Sequence, residues 1–282
     1  MGKEKLESAL QKKIDAKESI FSPFIMAGDG GLDILEERIE FLMKCGASAI
    51  ELGIPFSDPV ADGPVIQEAG KRALASGTTL KKVLEKLQET KESRDIPIVV
   101  MTYINPVLKY GVERFAREAA AAGVDGVIIP DLPMEEEGLI DTVLKDNNIA
   151  FIRLAAMTSP KERLVELAKR SEGFLYAVAV NGTTGERAVH DTYVSSYLKE
   201  LKSYCDIPVL AGFGVSNVEQ AQALSKHCNG VIVGSKIVQL LHEGRKTEIK
   251  AFGRVPVTSR NLSNGHWFLI ISVRQEMTSF WK

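Results

Sequence analysis

Three carboxylates lie close together in one short stretch of the chain and could transfer protons. Glu51 follows the apolar run 47–50, and the segment after it is too rich in proline, glycine and aspartate to continue as a strand or a helix. Glu51 is therefore predicted to end a buried strand, with Asp58 and Asp62 in the next loop. In parallel α/β folds this end of a strand faces the active site, which makes all three candidates for general acid and base catalysis. From local chemistry alone, a structural role in turns explains them equally well.

The elements that must position these residues alternate regularly. After a short amphipathic N-terminal helix, eight strand-like apolar runs alternate with helical patterns in which apolar residues recur at spacings of three and four. The predicted strands are Phe24–Ala27, Ala47–Leu52, Ile96–Tyr103, Val124–Pro130, Ala150–Ala155, Phe174–Val180, Ile207–Gly212 and Gly230–Gly234. This count is typical of a (β/α)8 TIM barrel, a single domain over residues 1–250. An open doubly wound sheet is the alternative, but no glycine-rich fingerprint follows the first strand.

The C-terminal segment, residues 251–282, departs from the barrel pattern. It shows no sustained helical period, and its basic residues outnumber its single acidic residue, Glu276. The basic residues are Arg254, Arg260, Arg274 and Lys282. We expect an atypical tail that is irregular or poorly ordered. A basic binding tail and a change of coding frame are the alternatives that its composition leaves open.

Two glycine-containing turns follow the last two predicted strands. One is the run 211–216, which includes Phe213 and Gly214, and the other is Gly234-Ser235 at the start of a short helix. Small residues let backbone N–H groups approach an anion, and barrels often bind phosphate between these two loops. The sequence therefore predicts a phosphate site there, although the same glycines would also suit ordinary tight turns.

Composition excludes several classes of function. The formal net charge of −2 gives no reason to expect binding to nucleic acid or to an anionic membrane. The three cysteines are widely spaced, and the four histidines form no pair with metal-ligand spacing, so no metal site is predicted. The N-terminus lacks the apolar core of a secretory signal, and the apolar run 267–273 is too short to span a bilayer. We expect a cytoplasmic protein.

The run Glu51–Gln67 resembles the signature of the tryptophan synthase alpha subunit family, and the resemblance extends from about Phe21 to Leu241. Other matching segments are Tyr103–Pro106, Pro130–Pro133, Asn181–Arg187 and Gly212–Ser216. The resemblance implies a TIM-barrel lyase that cleaves indole-3-glycerol phosphate to indole and glyceraldehyde 3-phosphate in tryptophan biosynthesis. It also implies a beta-subunit partner in an alpha2beta2 heterotetramer. The pyridoxal phosphate would belong to the beta subunit, and this chain would need no cofactor.

The resemblance also implies roles for individual residues. Glu51 matches the family's general acid and base, and Asp62 matches the carboxylate that receives the indole N–H. Residues implied to bind substrate are Phe24 and Tyr176 at the indole, Thr184 in the closing loop, and Gly185, Phe213, Gly214, Gly234 and Ser235 at or near the phosphate. Residues implied to communicate with the beta subunit are Pro55, Phe56, Asp58 and Asp131. The family's closing helix is expected after Gly244, where this chain departs from the pattern.

Two other functions stay open at this stage. The chain could bind the phosphate ligand and act mainly as an allosteric partner of the beta subunit, with weak activity of its own. It could also be another phosphosugar isomerase or aldolase. That chemistry would require a lysine or histidine at the barrel mouth, and none is well placed.

Overall fold

A computed structural model describes residues 2–178, 187–212 and 214–253. Within these ranges the chain forms parallel strands in the order β5-β4-β3-β2-β1-β9-β8-β7-β6. They are β1 (Ile20–Met26), β2 (Ile50–Gly53), β3 (Ile98–Met101), β4 (Gly126–Ile128), β5 (Ala150–Phe151), β6 (Leu154–Ala156), β7 (Leu175–Val178), β8 (Val209–Gly212) and β9 (Gly230–Val233). Most of these segments are buried throughout, as expected for strands covered on both faces.

Strands β5 and β6 are two halves of the predicted fifth strand. β5 and β6 stand at opposite ends of the strand order, although they follow each other directly in the chain, so the stretch 150–156 joins the two ends of the sheet and closes the barrel. The strand is interrupted at Arg153, whose buried guanidinium donates to Glu137 at 2.9 Å and to Asp141 at 2.7 Å. The predicted (β/α)8 barrel is therefore confirmed, with one broken strand that alternation of apolar residues did not reveal.

The strands alternate with helices that pack their apolar faces against the outside of the sheet. The helices are α1 (Lys3–Asp15), α2 (Leu35–Lys44), α3 (Pro64–Ala75), α4 (Leu80–Glu89), α5 (Ile104–Tyr110), α6 (Val112–Ala121), α7 (Asp141–Asp146), α8 (Lys161–Arg170), α9 (Arg187–Tyr204), α10 (Val218–Ser225), α11 (Ser235–His242) and α12 (Lys246–Phe252), with a 3-10 helix over Met134–Leu139. None of these described helices is long and apolar enough to cross a membrane.

Helix α1 covers the end of the barrel where the strands begin. Its Leu6 and Leu10 are fully buried in the cluster that fills the barrel interior. A Cβ atom on Gly173 would lie 2.7 Å from the Leu6 side chain, so the helix sits directly on the strand starts. Because this end is occupied, a substrate has to enter at the opposite end, where the strands finish.

Helix α12 extends into the segment that was expected to be irregular. It ends at Phe252, whose ring stacks on Phe21 with a centroid distance of 6.3 Å. Ile249 and Phe252 are both buried, and this apolar spacing of three holds the helix against the barrel. The expected boundary after residue 250 therefore falls inside a helix. Residues 254–282 lie outside the described part of the chain, so the prediction of an irregular tail stays a prediction there.

Candidate active site

The register of β1, β2 and β3 places Glu51 inside the barrel. Glu51 pairs with Phe24 on β1 and with Val99 on β3, and both of these side chains belong to the interior cluster. The residues on either side of it, Ile50 and Leu52, face the outer helices instead. Alternation along the strand thus directs the Glu51 carboxyl toward the barrel axis. Glu51 was predicted to end its strand, but β2 continues for two more residues, to Gly53.

Glu51 is held in an environment that opposes ionisation. Its side chain is buried, and its Oε2 atom has no hydrogen-bond partner among the described residues. Burial, together with the negative charge of Asp62, raises the pKa of Glu51 to about 8. At neutral pH the carboxyl is therefore protonated and can give a proton to a bound molecule. Because this pKa is close to the working pH, the resulting carboxylate can also take a proton back.

Asp62 lies in the loop after β2 and is held by several hydrogen bonds. Its backbone N–H donates to the Pro59 carbonyl at 3.1 Å, and its carbonyl accepts from Gln67 Nε2 at 2.8 Å. Burial raises the pKa of Asp62 to about 6, and a hydrogen bond from the Tyr103 hydroxyl acts in the opposite direction. Near neutral pH the two carboxyls therefore differ, because Asp62 is ionised when Glu51 is protonated.

Tyr103 is the last residue of the predicted third strand, and the sequence analysis gave it no role of its own. Its hydroxyl donates to the Asp62 carboxylate and accepts the Ala61 backbone N–H at 3.0 Å. Its ring is buried and lies 5.3 Å from the Phe56 ring, centroid to centroid. Tyr103 thus joins the loop after β2 to the start of α5. Its position at the end of a predicted strand was the available signal, but the sequence could not show which loop the hydroxyl would reach.

Removing the Tyr103 hydroxyl should weaken the hold on Asp62. We expect Tyr103→Phe to lower kcat of the reaction proposed below by about tenfold, as for loss of one hydrogen bond to a charged group. The pKa of Asp62 should rise, because the lost hydrogen bond lowers it in the native chain. The pH dependence of kcat/KM measures this shift. An unchanged acidic limb would contradict the assigned contact.

Two aromatic residues form an apolar wall beside Glu51. The Phe24 ring packs on Gly53, where an added Cβ would lie 2.4 Å from the ring. The Tyr176 ring packs on Gly212 in the same way, with its Cε1 2.3 Å from such a Cβ. Both side chains are buried in the interior cluster, and burial raises the pKa of Tyr176 well above its ordinary value, with the nearby Glu51 charge contributing. The wall therefore suits a flat apolar ring.

The two predicted phosphate turns follow neighbouring strands. Strands β8 and β9 pair directly, so Gly214 and Gly234 come from adjacent loops at the open end of the barrel. Gly214 has a φ of +83°, a conformation that favours glycine. The nearest described contact of a Cβ on Gly234 would be Phe24 Cβ at 3.7 Å, so the turn is not crowded. Helix α11 begins at Ser235 and directs free N–H groups at this opening.

Three predicted substrate residues, Thr184, Gly185 and Phe213, lie outside the described residues. Their roles stay predictions. The described residues Phe24, Tyr176, Gly214, Gly234 and Ser235 come from β1, β7 and the ends of β8 and β9. These four strands are neighbours in the sheet, so all five residues lie on the same side of the barrel. Phe24 lies directly beside Glu51 in the sheet.

The four residues predicted to contact a partner lie on the same end of the barrel. Asp58 is exposed and accepts a hydrogen bond from Ser57 Oγ at 2.5 Å. Pro55 is buried, and Phe56 is partly buried against Tyr103. Asp131 accepts the backbone N–H of Ile104 at 2.9 Å, and so it fixes the start of α5. Three of the four, Phe56, Asp58 and Asp131, therefore have contacts within this chain, and the partner role stays a prediction.

Comparisons with known proteins agree on one family. The model of the family described as tryptophan synthase alpha chain matches residues 10–266. A tryptophan synthase alpha chain from Oceanobacillus iheyensis is 61% identical over 254 residues, covering 90% of this chain and 97% of the relative. Another from Bacillus thuringiensis subsp. konkukian is 50% identical over 252 residues, covering 89% and 96%.

Solved structures give the same answer for the fold. The crystal structure of tryptophan synthase subunit alpha from Legionella pneumophila str. Paris has a TM-score of 0.82 at 29% identity, covering 89% of this chain and 97% of that one. A structure of Mycobacterium tuberculosis tryptophan synthase has a TM-score of 0.81 at 32% identity, covering 89% and 98%. Because the family model matches most of the chain and the relatives are matched over nearly their whole length, this chain belongs to the tryptophan synthase alpha chain family.

Proposed function

We propose that this chain is a lyase that cleaves indole-3-glycerol phosphate to indole and glyceraldehyde 3-phosphate in tryptophan biosynthesis. The observation that carries the proposal is Glu51, a buried carboxyl whose pKa of about 8 keeps it protonated beside an ionised carboxylate. The aromatic wall next to it suits the indole ring, and the two turns after β8 and β9 suit the phosphate. Membership of the tryptophan synthase alpha chain family supports the same reaction.

The two carboxyls divide the work of the reaction. Glu51 protonates C3 of the indole, which makes the ring an electron-poor cation and weakens the bond from C3 to the side chain. Asp62, which is ionised, accepts a hydrogen bond from the ring N–H and stabilises that positive charge. The Glu51 carboxylate then takes the proton of the side-chain hydroxyl. As the C3–carbon bond breaks, its electrons return to the ring, and indole and an aldehyde are formed. The proton count balances, since Glu51 ends as it began.

Helix α11 supplies the part of the site that would hold the phosphate. A substitution Ser235→Asp would place a carboxylate at the first residue of this helix, where negative charge is favourable for the helix itself. We expect folding to be retained and KM for the substrate to rise by about tenfold or more through repulsion between the two anions. Measuring KM at low and high salt tests this, because screening should reduce the effect. Ser235→Ala is the control, and an equal rise in KM for both variants would contradict the assignment.

A beta-subunit partner is proposed for the same end of the barrel, in an alpha2beta2 heterotetramer in the cytoplasm. Supporting it, the loop after β2 exposes the apolar side chain of Val60, which is 83% accessible, between Asp58 and the catalytic Asp62. No cofactor is proposed for this chain, because carboxylates suffice for the chemistry above. The pyridoxal phosphate would belong to the partner. The free cysteines Cys45, Cys205 and Cys228 fit a reducing compartment.

Indole release from indole-3-glycerol phosphate tests the proposed function directly. The purified chain should release indole in the steady state, with and without a beta subunit from the same family. Release in both conditions supports the lyase. If indole appeared only at a trace rate while the chain still altered the activity of the beta subunit, the alternative of an allosteric partner would replace it.

A further inference from the structure

An ion-pair cluster lies in the loop after β1, outside the residues assigned to catalysis. Asp29 is 4% exposed, and both of its carboxylate oxygens accept hydrogen bonds from Arg72 on α3, at 2.7 Å from Nε and 2.9 Å from Nη2. A guanidinium from α2, that of Arg38, donates to the Asp29 carbonyl. Paired, two-point contacts of this kind fix direction as well as distance. The loop after β1 therefore has a defined orientation relative to α3.

A second contact strengthens the attachment of this loop to α3. The Ser76 hydroxyl, just after α3, lies 3.3 Å from the Gly28 carbonyl. A Cβ on Gly28 would lie 2.0 Å from the Thr78 hydroxyl oxygen, so the loop and the end of the helix touch directly. The glycine at this position, with a φ of +79°, allows that approach.

Helix α3 connects this cluster to the catalytic loop. It begins at Pro64, two residues after Asp62, and its first turn carries Gln67, whose amide donates to the Asp62 carbonyl at 2.8 Å. Arg72 is five residues further along the same helix. A rigid helix joins the two contacts, so a change in how α3 is held at Arg72 also moves Gln67 and the loop of Asp62. Through Arg72, helix α3 also contacts Asp29 in the loop after β1, and β1 is the strand that carries Phe24.

We propose that Asp29 and Arg72 are positioning residues, which fix α3 against the end of β1 and thereby hold the Asp62 carboxylate at the indole nitrogen. The expected change in kcat rests on the proposed function. The expected change in the position of the Asp62 carboxyl does not, because it concerns the substrate-free protein. Displacing a catalytic group by about 1 Å is enough to cost about a hundredfold in rate. The effect should appear in kcat, because Asp62 acts on charge that develops during the reaction.

Three variants test the role of the cluster in catalysis. We expect Asp29→Asn to lower kcat by about ten- to a hundredfold with a smaller change in KM. Arg72→Lys keeps the charge but loses the paired contact, and it should show a partial loss. The matched control is Lys71→Ala, which removes an exposed ion pair with Glu68 on the same helix, one residue away. This control should retain the rate of the native chain, because exposed pairs contribute little.

A second measurement separates positioning from simple loss of stability and does not require activity. The Asp62 carboxyl can be titrated by carbon NMR in the substrate-free protein, with its signal identified by its absence in Asp62→Asn. In the native chain we expect a pKa of about 6. In Asp29→Asn the pKa of Asp62 should fall, because a looser loop exposes the carboxyl to water. The titratable groups that face Asp62, the Tyr103 hydroxyl and the Glu51 carboxyl, are unchanged in this variant.

The outcomes are distinct. A fall in both kcat and the Asp62 pKa, in a variant that is folded at the assay temperature, supports the inference. An unchanged Asp62 titration in folded Asp29→Asn overturns it, whatever the rate. If the native chain released no indole but the Asp62 titration moved as expected, the proposed function would fail and the structural link would stand.

Discussion

Replacing Glu51 with glutamine is expected to lower kcat for cleavage of indole-3-glycerol phosphate by about 10²–10⁴-fold, the usual contribution of a positioned acid and base. Glutamine has nearly the same shape as a protonated glutamate, so the substrate should still bind. It cannot protonate the indole ring or accept the proton of the hydroxyl. Steady-state release of indole by the purified Glu51→Gln protein measures the loss. A rate within about threefold of the native chain would remove Glu51 from the chemistry.

Glu51→Gln should also raise the stability of the folded protein, so a loss of activity in this variant is not explained by unfolding. Because the folded-state pKa of Glu51 is raised from 4.5 to about 8, the native chain binds this proton more tightly than the unfolded chain does. The associated stability is fully present below pH 4.5 and is lost as the pH rises toward 8. Glutamine does not titrate, so Glu51→Gln should be more stable than the native chain at pH 7, by on the order of 3 kcal/mol. Urea unfolding of both proteins at pH 5 and pH 8 measures the difference, which should grow with pH.

Replacing Asp62 with asparagine is expected to lower kcat by about 10²–10³-fold, comparable to the loss of one group that stabilises transition-state charge. Asparagine can still accept a hydrogen bond from the ring N–H, but it offers no negative charge to the cationic ring. The effect should therefore fall on kcat more than on KM. Asp62→Glu, which keeps the charge on a longer side chain, should lose less than Asp62→Asn if charge is the requirement.

The pH dependence of kcat/KM gives Asp62→Asn a second and more specific signature. In the native chain activity requires ionised Asp62 and protonated Glu51, so the profile should be a bell with limbs near 6 and 8. In the Asp62→Asn variant the acidic limb should disappear. The basic limb should move to lower pH, since the charge of Asp62 helps to raise the pKa of Glu51. A variant profile with both limbs in place would contradict the assigned roles.

The barrel was predictable because its strands are continuous apolar runs separated by regular helical patterns. The break between β5 and β6 was not, because it accompanies contacts of Arg153 with Glu137 and Asp141, which lie outside the strand, 16 and 12 residues earlier in the chain. The resemblance implied a closing helix after Gly244, but residues from 251 onward were predicted to be irregular, so the end of helix α12 was not predicted. The helix has only seven residues, and its apolar face is visible only once Phe252 is known to pack on Phe21. Short elements that depend on tertiary contacts leave little periodicity to detect.

The candidate site was predictable only where position in the sequence was enough to locate a side chain. Glu51 could be placed from its position at the end of a buried run, and Asp62 from the loop that follows. Tyr103 and Gln67 were not assigned to the site, because what matters is which neighbouring loop each side chain reaches. That information exists only in the folded barrel. The pKa values of the carboxyls likewise depend on burial and on their proximity to each other, which a sequence does not contain.

A structure of the Glu51→Gln variant with indole-3-glycerol phosphate bound tests the central claim most directly, because the slowed reaction leaves the substrate intact. We predict that the amide at position 51 lies within about 3.5 Å of the indole C3, the distance of a reactive contact. The Asp62 carboxylate should accept the ring N–H, and the phosphate should lie between Gly214 and Ser235. A substrate bound with its C3 atom away from position 51, or with its phosphate elsewhere, would contradict the account.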